Sequence, residues 1–233
     1  MHVLKAISEY KDQDGNQIIF AGKKPLDNKI SITFRGKNNT LVVHENARVR
    51  LVNILFDQNN GRCEIGSNDA SVAPFSANIR IGEDSSALIG NNVSTTTPVQ
   101  ISAVEGTTVR IGNDVMIAGS VKVRGDDGHP IFDVRTSQRI NTAKDITIKN
   151  HVWLGIESYI MGGADISDGC VVGARSIVNK AFPNNCIIAG SPAKIIRRNI
   201  AWERPHLSMA SPAYKDSGDT VEKSDYWNIT VDL

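Results

Sequence analysis

Large rings are scarce in this chain of 233 residues: Phe, Trp and Tyr make up only 6% of it. Its core must be filled by aliphatic side chains, which suits a narrow interior. An excess of charge of one sign is missing too. Lys and Arg number 26 against 25 Asp and Glu, a formal net charge of +1, so no strong overall field favours nucleic acid or an anionic membrane surface as the main partner. Any basic site has to be local. No uncharged apolar run reaches the roughly 18 residues that cross a bilayer, so no membrane span is expected. The first residues, MHVLKAISEYKDQDGN, lack the apolar stretch of a signal peptide, and a soluble, cytoplasmic protein of one domain is expected. Cys63, Cys170 and Cys186 are an odd number without a CxxC pair, which excludes a disulfide framework and a zinc knuckle. His2, His44, His129, His151 and His206 include no close pair of the kind a three-histidine zinc site needs, so no metal is expected.

What is present is a repeat. In ITIKNHVWLGIESYIMGGADISDGCVVGARSIVNK, steps of six fall on Ile148, Leu154, Ile160, Ile166, Val172 and Val178. Two places before each stand Ile146, Val152, Ser158, Ala164, Cys170 and Ser176, aliphatic or small. The same frame runs upstream through Ile111, Ile117 and Val123, and Ile65, Ile81 and Ile89 carry it with slipped spacing. A period of six matches neither a helix nor a simple amphipathic strand. It suits a short strand and a tight corner, three such units closing one triangular coil, with coils stacked about 4.8 Å apart. One coil cannot bury its own inward residues, so the core exists only in the stack. Residues 1–40 fit the frame poorly and are expected to cap a β-helix spanning 41–198. AKIIRRNIAWER is expected to form a short amphipathic C-terminal helix with Ile195, Ile196 and Ile200 on one side, leading into a tail through residue 233. Cys170 falls in an inward slot and is expected to be structural.

The frame breaks once, over residues 124–145, in RGDDGHPIFDVRTSQRINTAKD. A prism with flat faces and a packed interior has no cleft of its own, but a long loop leaning over one face makes a wall, and a groove between two copies can supply the rest. Within the loop, His129 is the side chain whose ordinary pKa, about 6.5, suits proton transfer near neutrality. Asp127 or Asp133 could fix its second nitrogen. Toward the C-terminus Lys180, Lys194, Arg197 and Arg198 gather near the small residues Gly155, Gly173, Ala174 and Gly190.

The repeat, the run from IGNDVMIAG to GHP and the closing GSPAKIIRR resemble the hexapeptide-repeat acyltransferases. DGHPIFD followed by RIN, AKD and NHVWLG is most similar to the bacterial polysaccharide and sialic-acid O-acetyltransferases. The resemblance implies an all-β, left-handed parallel β-helix assembled as a homotrimer. It implies acetyl transfer from acetyl-CoA to a carbohydrate hydroxyl, with His129 as general base and Trp153 also at the active site. In such a reaction the hydroxyl attacks the thioester directly and backbone N–H groups near Trp153 to Gly155 receive the oxyanion. Acetyl-CoA is expected along Gly155, Gly173 and Ala174, with Lys180, Pro192, Lys194 and Arg197 toward its nucleotide. Gln100 falls where sugar-acetylating relatives carry an acceptor-binding asparagine, and Arg139 joins it as a candidate for the acceptor. The alternatives are an amine acceptor, on an amino-sugar nucleotide or a xenobiotic, and a bare β-helix scaffold without enzymatic activity.

Overall fold

The computed structural model describes residues 2–207 and 217–233; part of the expected tail therefore lies outside the described residues. Three sheets form the sides of a prism, one of eight strands, one of nine and one of six. From Ser94–Thr95 onward the chain visits them in turn: six-stranded, eight-stranded (Val99–Ala103), nine-stranded (Thr108–Ile111), then back to the six-stranded face at Met116–Ile117. Successive passes over one face pair in parallel, so equivalent residues lie directly above one another.

The six-residue frame is this stack. Ile32, Ile54, Ile79, Ile101, Val123, Ile160 and Val178 form one inward column on the eight-stranded face, each in register with the next. Ile65, Ile89, Ile111, Ile148 and Ile166 form the matching column on the nine-stranded face. These side chains are buried, as are the small residues two places earlier, including Ser158, Cys170 and Ser176. Burial pushes the Cys170 thiol up to about 12, which suits a packing role and not a nucleophile.

The corners repeat as well. Between the nine- and six-stranded faces, Asn92, Asp114, His151, Gly169 and Asn185 all adopt left-handed backbone angles, φ between 52° and 71°. Asn, Asp and Gly tolerate that region best. The residue before each carries a ladder: the Asn91 N–H donates to the Asn113 side-chain carbonyl at 2.8 Å, the Asn113 N–H to that of Asn150 at 2.8 Å, and the Asn150 N–H to the Asp168 carboxylate at 2.6 Å.

Two expectations about the ends are corrected. Parallel coils begin well before residue 41: Gln17–Phe20 pairs with Thr40–Val43, and Ile30–Phe34 with Val49–Phe56. His2–Leu4 and Tyr10–Lys11 pair antiparallel and close the first edge. The early coils are longer than the later ones and are filled by stacked rings, Phe34 and Phe56 lying 4.9 Å apart, which hides the aliphatic period. At the other end the helix expected over residues 193–204 does not form. Ala193–Arg197 is a strand, antiparallel to Ile187–Gly190, because the open edge of the six-stranded sheet offers unpaired backbone groups and the β-branched Ile195 and Ile196 favour extended chain.

Truncating one link of the inward column leaves a void that the rigid neighbours cannot close. Ile148→Ala lowers unfolding free energy by about 2–5 kcal/mol, whereas Arg110→Ala, on an exposed outward position, stays within about 0.5 kcal/mol. Urea unfolding of the two variants checks this, and equal losses would mean that the column is not the core.

Candidate active site

Outward columns are in register too. Ser31, Asn53, Asn78, Gln100, Lys122 and Tyr159 follow one another down the eight-stranded face. Beside them runs a second row containing Arg80, Ser102 and Arg124. The two rows floor a cavity of about 860 Å³, walled on one side by Asp126 and Asp127 at the root of the interrupting loop. A second cavity, about 610 Å³, shares Gln100, Lys122 and Tyr159 and continues round the corner to Thr97, Glu157 and Arg175.

Most cations here are paired. Arg35 and Arg80 share Asp57, at 3.0 and 2.8 Å, Arg175 holds Glu157, and Arg124 binds Asp126 at 2.9 Å. Lys122 lies 5.0 Å from the centre of the Tyr159 ring and has no carboxylate partner among the described residues. Asp126 is buried, which opposes its charge. Hydrogen bonds from the Ser102 hydroxyl, at 2.6 Å, and from Arg124 outweigh that and hold its carboxyl below the ordinary range, so it is an ionised anchor for the loop.

The loop leaves the corner between the eight- and nine-stranded faces and folds into an arm. Phe132 bridges Arg139 antiparallel, and the Ile140 N–H donates to the Ile131 carbonyl at 2.9 Å. His129 lies exposed near the arm's root. Asp127 and His129 are drawn together by Asn141, whose side-chain amide donates to the Asp127 carboxylate at 3.0 Å and to the His129 carbonyl at 2.8 Å. Asp133 sits near the tip, where its carboxylate accepts the backbone N–H groups of Arg135 and Thr136. Gln100 is on the floor of both cavities. Arg139 is engaged elsewhere, in a 2.9 Å ion pair with Glu105 on the corner of the preceding coil.

Trp153 occupies a different part of the prism. It stands on the six-stranded face, half-exposed, in register with Met116 and Val171. One chain therefore presents His129 at one corner and Trp153 on the face opposite that corner. Behind Trp153 the C-terminal segment folds back as a strap. Trp202 lies 6.0 Å from the Trp153 ring and stacks on His151 at 4.2 Å, with Tyr226 parallel to the same imidazole on its other side at 4.6 Å. His151 Nδ1 meets the Asp114 carboxylate at 2.5 Å and Nε2 meets the Trp202 carbonyl at 2.9 Å. Arg204 clamps the same Asp114 and donates to the Ser94 hydroxyl and the Asn92 carbonyl, each at 2.8 Å.

The oxyanion expectation is corrected in part. The Trp153 and Gly155 N–H groups donate to the Cys170 and Val172 carbonyls of the next coil, at 2.9 and 2.8 Å, so neither is free to receive developing charge. Gly155 and Gly173 owe their lack of a side chain to stacking: a Cβ would come within 2.5 Å of the Val172 carbonyl oxygen in the first case and 2.9 Å of the Ala189 Cβ in the second. Ala174 shares the Gly173 corner, and Pro192 sits in the turn between the last two strands. Lys194 and Arg197 are exposed on the final strand, without carboxylate partners among the described residues. Lys180 stands at another edge, between the eight- and nine-stranded faces, over the Phe182 ring.

No family model matches the chain. A polysialic acid O-acetyltransferase of Neisseria meningitidis is 33% identical to it over 199 residues, covering 84% of this chain and 89% of that protein. The chain belongs to the hexapeptide-repeat O-acetyltransferases. The crystal structure of the polySia-specific acetyltransferase NeuO superposes with a TM-score of 0.74 at 32% identity, over 85% of this chain and 84% of that one. That of the polysialic acid O-acetyltransferase OatWY gives 0.63 at 30%, over 81% and 92%. The prism is accordingly the left-handed parallel β-helix of these hexapeptide-repeat O-acetyltransferases. A polysialic acid O-acetyltransferase of Escherichia coli O1:K1 is 49% identical over 96 residues, 41% of this chain; that match spans about a third, 31%, of the relative's length.

Sequence reasoning missed Asp126, Asn141 and the His151 clasp. Asp126 adjoins Asp127 in sequence, and its burial and its bonds to Ser102 and Arg124 set it apart. His151 had one signal, its place at a corner position otherwise held by Asn, Asp or Gly.

The clasp carries a prediction. Burial opposes charge on His151, but both ring nitrogens face acceptors, a carboxylate and a carbonyl, so the doubly protonated ring is favoured and its pKa is raised. The resulting stability is complete below the unfolded value of about 6.5 and is lost as pH rises through the higher folded value. Thermal melts between about pH 5.5 and 9 show the advantage of wild type over His151→Gln shrinking as pH rises. An advantage that does not change across this window rules out the imidazolium.

Proposed function

We propose that this protein transfers the acetyl group of acetyl-CoA to a hydroxyl of an acidic carbohydrate, a cell-surface polysaccharide or its precursor, with His129 as general base. The observation that carries the reading is the long cavity beside the His129 arm, whose floor offers side-chain amides and cations in a regular row. Amide groups at Asn53, Asn78 and Gln100 suit the alternating donors and acceptors of a sugar. Lys122, without a carboxylate partner among the described residues, suits an acidic substituent. The names of the relatives, polysialic acid O-acetyltransferases, support the same acceptor class.

An acceptor hydroxyl is a weak nucleophile until its proton is removed during attack. His129 accepts that proton as the oxygen closes on the thioester carbon, and the imidazolium then protonates the departing CoA thiolate. Asp127, held next to His129 by Asn141, orients the ring; Asp133, engaged in the arm's own turn, does not. The exposed Lys194 and Arg197 suit the phosphates of acetyl-CoA. Transfer to oxygen is preferred over an amine acceptor on the strength of the relatives.

The site requires more than one copy. His129 and Trp153 lie on separate parts of one prism, so they meet over one substrate only when the arm of one copy reaches the six-stranded face of another. The arm is built for such a contact, since Ile131, Phe132, Val134 and Ile140 are exposed, Val134 to 95%. An arm of one copy on a different face of the next is a head-to-tail contact that closes as a ring, and the homotrimer implied by the resemblance is such a ring. Acetyl-CoA as donor points to the cytoplasm.

Thiol release from acetyl-CoA, followed against sialylated and neutral glycans, tests the reading. His129→Ala is expected to lower turnover by about 10²–10⁴-fold while leaving the melting temperature unchanged. Full turnover by this variant sinks the base assignment. Lys122→Met is expected to raise KM for the acidic acceptor by roughly tenfold, the loss of one charge-assisted contact, and to leave neutral acceptors unaffected. Equal effects on both kinds of acceptor refute the acidic-sugar assignment.

A further inference from the structure

Outside the coils, His129 has no strand ladder to fix it, yet a general base must be held to within a fraction of an ångström of the proton it takes. We propose that Asn141 is the positioning residue that supplies this rigidity. The inference rests on His129 being the base. One side chain does the work of a missing β-ladder. Its two N–H bonds go to the Asp127 carboxylate and the His129 carbonyl, at 3.0 and 2.8 Å. Its oxygen accepts the Ile131 N–H at 2.7 Å and the Arg139 Nε–H at 3.2 Å. An amide can make four such bonds, and all four are made. They hold the side chain of the residue two before His129, the carbonyl of His129 itself and the N–H of the residue two after it, so the backbone leaving His129 and the neighbouring carboxylate are pinned to one point.

That point is tied to the prism. Arg139, which donates to the Asn141 side chain, also donates to the Asn141 carbonyl at 3.1 Å and pairs with Glu105 at 2.9 Å. Glu105 accepts the Ala143 N–H in turn, at 3.3 Å. The path from the rigid coil to the base is therefore Glu105, Arg139, Asn141, His129. The amide holds Oδ2 of Asp127, which leaves Oδ1 available to the imidazole. No other residue type replaces these bonds. Asp has the same shape with no donors and would set a carboxylate against Asp127 and the His129 carbonyl. Gln moves the amide by a methylene, about 1.5 Å.

The test is a set of four proteins, wild type, Asn141→Ala, His129→Ala and the double variant, with Asn141→Asp alongside. Asn141→Ala is expected to lower kcat by 10- to 100-fold with KM for acetyl-CoA within about twofold, the size of effect that misplacing a catalytic group produces. On the His129→Ala background the same change is expected to cost less than about twofold, because a residue acting through the base has nothing left to position. Asn141→Asp adds a negative charge near the imidazole and is expected to move the acid limb of the kcat/KM profile to higher pH, which loss of structure alone does not do. Melting temperatures should match wild type, since the arm lies outside the core. Full activity of Asn141→Ala, or an equal loss in both backgrounds, overturns the assignment of Asn141. If His129→Ala keeps full turnover, it is the base assignment that fails, and the positioning role falls with it.

Discussion

Parallel stacking is the constraint from which the rest follows. Coils about 4.8 Å apart in register force each residue to sit above its equivalent, so a choice made once must be made in every coil. The main inward columns become aliphatic because a large polar member would lose its hydrogen bonds inside a narrow core, while the positions two places earlier also admit small residues such as Ser158 and Ser176. The corner column between the nine- and six-stranded faces is mostly Asn, Asp or Gly because each turn there needs a left-handed residue. The outward columns inherit the same regularity without being required to, and that is how Asn53, Asn78, Gln100 and Lys122 come to form a periodic floor. The cavity floor is a by-product of the packing rule.

Wherever the chain leaves the stack, it loses the ladder and needs side chains in its place. The arm is held by Asn141, Arg139 and the buried Asp126. The strap is held by His151, Asp114 and Arg204. Both solutions use a polar group with every hydrogen-bonding atom engaged, which is the condition under which polar networks rigidify a structure. They differ in kind. The arm's keystone is a neutral amide, indifferent to pH, whereas the strap depends on an ionised pair, so a change of pH loosens the strap before the arm.

The repeat was legible in the sequence because stacking imposes one residue class at fixed spacing, and Ile148 through Val178 announce it without alignment. The two ends were not. Phe34 and Phe56 replace aliphatic residues in wider early coils, so the frame fades there although the pairing does not. In AKIIRRNIAWER a helical stripe is visible, but the open edge beside it decides the outcome, and an edge is a property of the fold. The candidate site was half legible for the same reason. His129 stands out by chemistry, and the choice between Asp127 and Asp133 needs the arm's folding. Asn141 closes the RIN stretch that carries part of the resemblance, but its role is not legible there, since it bonds four atoms spread over thirteen residues of chain and nothing in that spacing is periodic.

A nearly neutral protein can still concentrate charge of one sign in one groove. The large cavity is lined by Arg35, Arg80, Lys122 and Arg124 against Asp126 and Asp127: four cations less two anions leave an excess of two in one groove, while the whole chain carries +1. Most of that excess is already engaged. Arg35 and Arg80 share Asp57, and Arg124 holds Asp126, so these guanidinium groups are fixed in place and present their remaining N–H bonds as oriented donors. Lys122 differs, because no carboxylate opposes it among the described residues and its ammonium lies over the Tyr159 ring. A paired cation must give up a partner to accept a new anion, and the exchange gains little. A cation without a carboxylate partner gives up mainly water, so an acidic group entering the groove would gain most at Lys122, one coil below Gln100 on the floor of the cavity that Asp127 helps to wall.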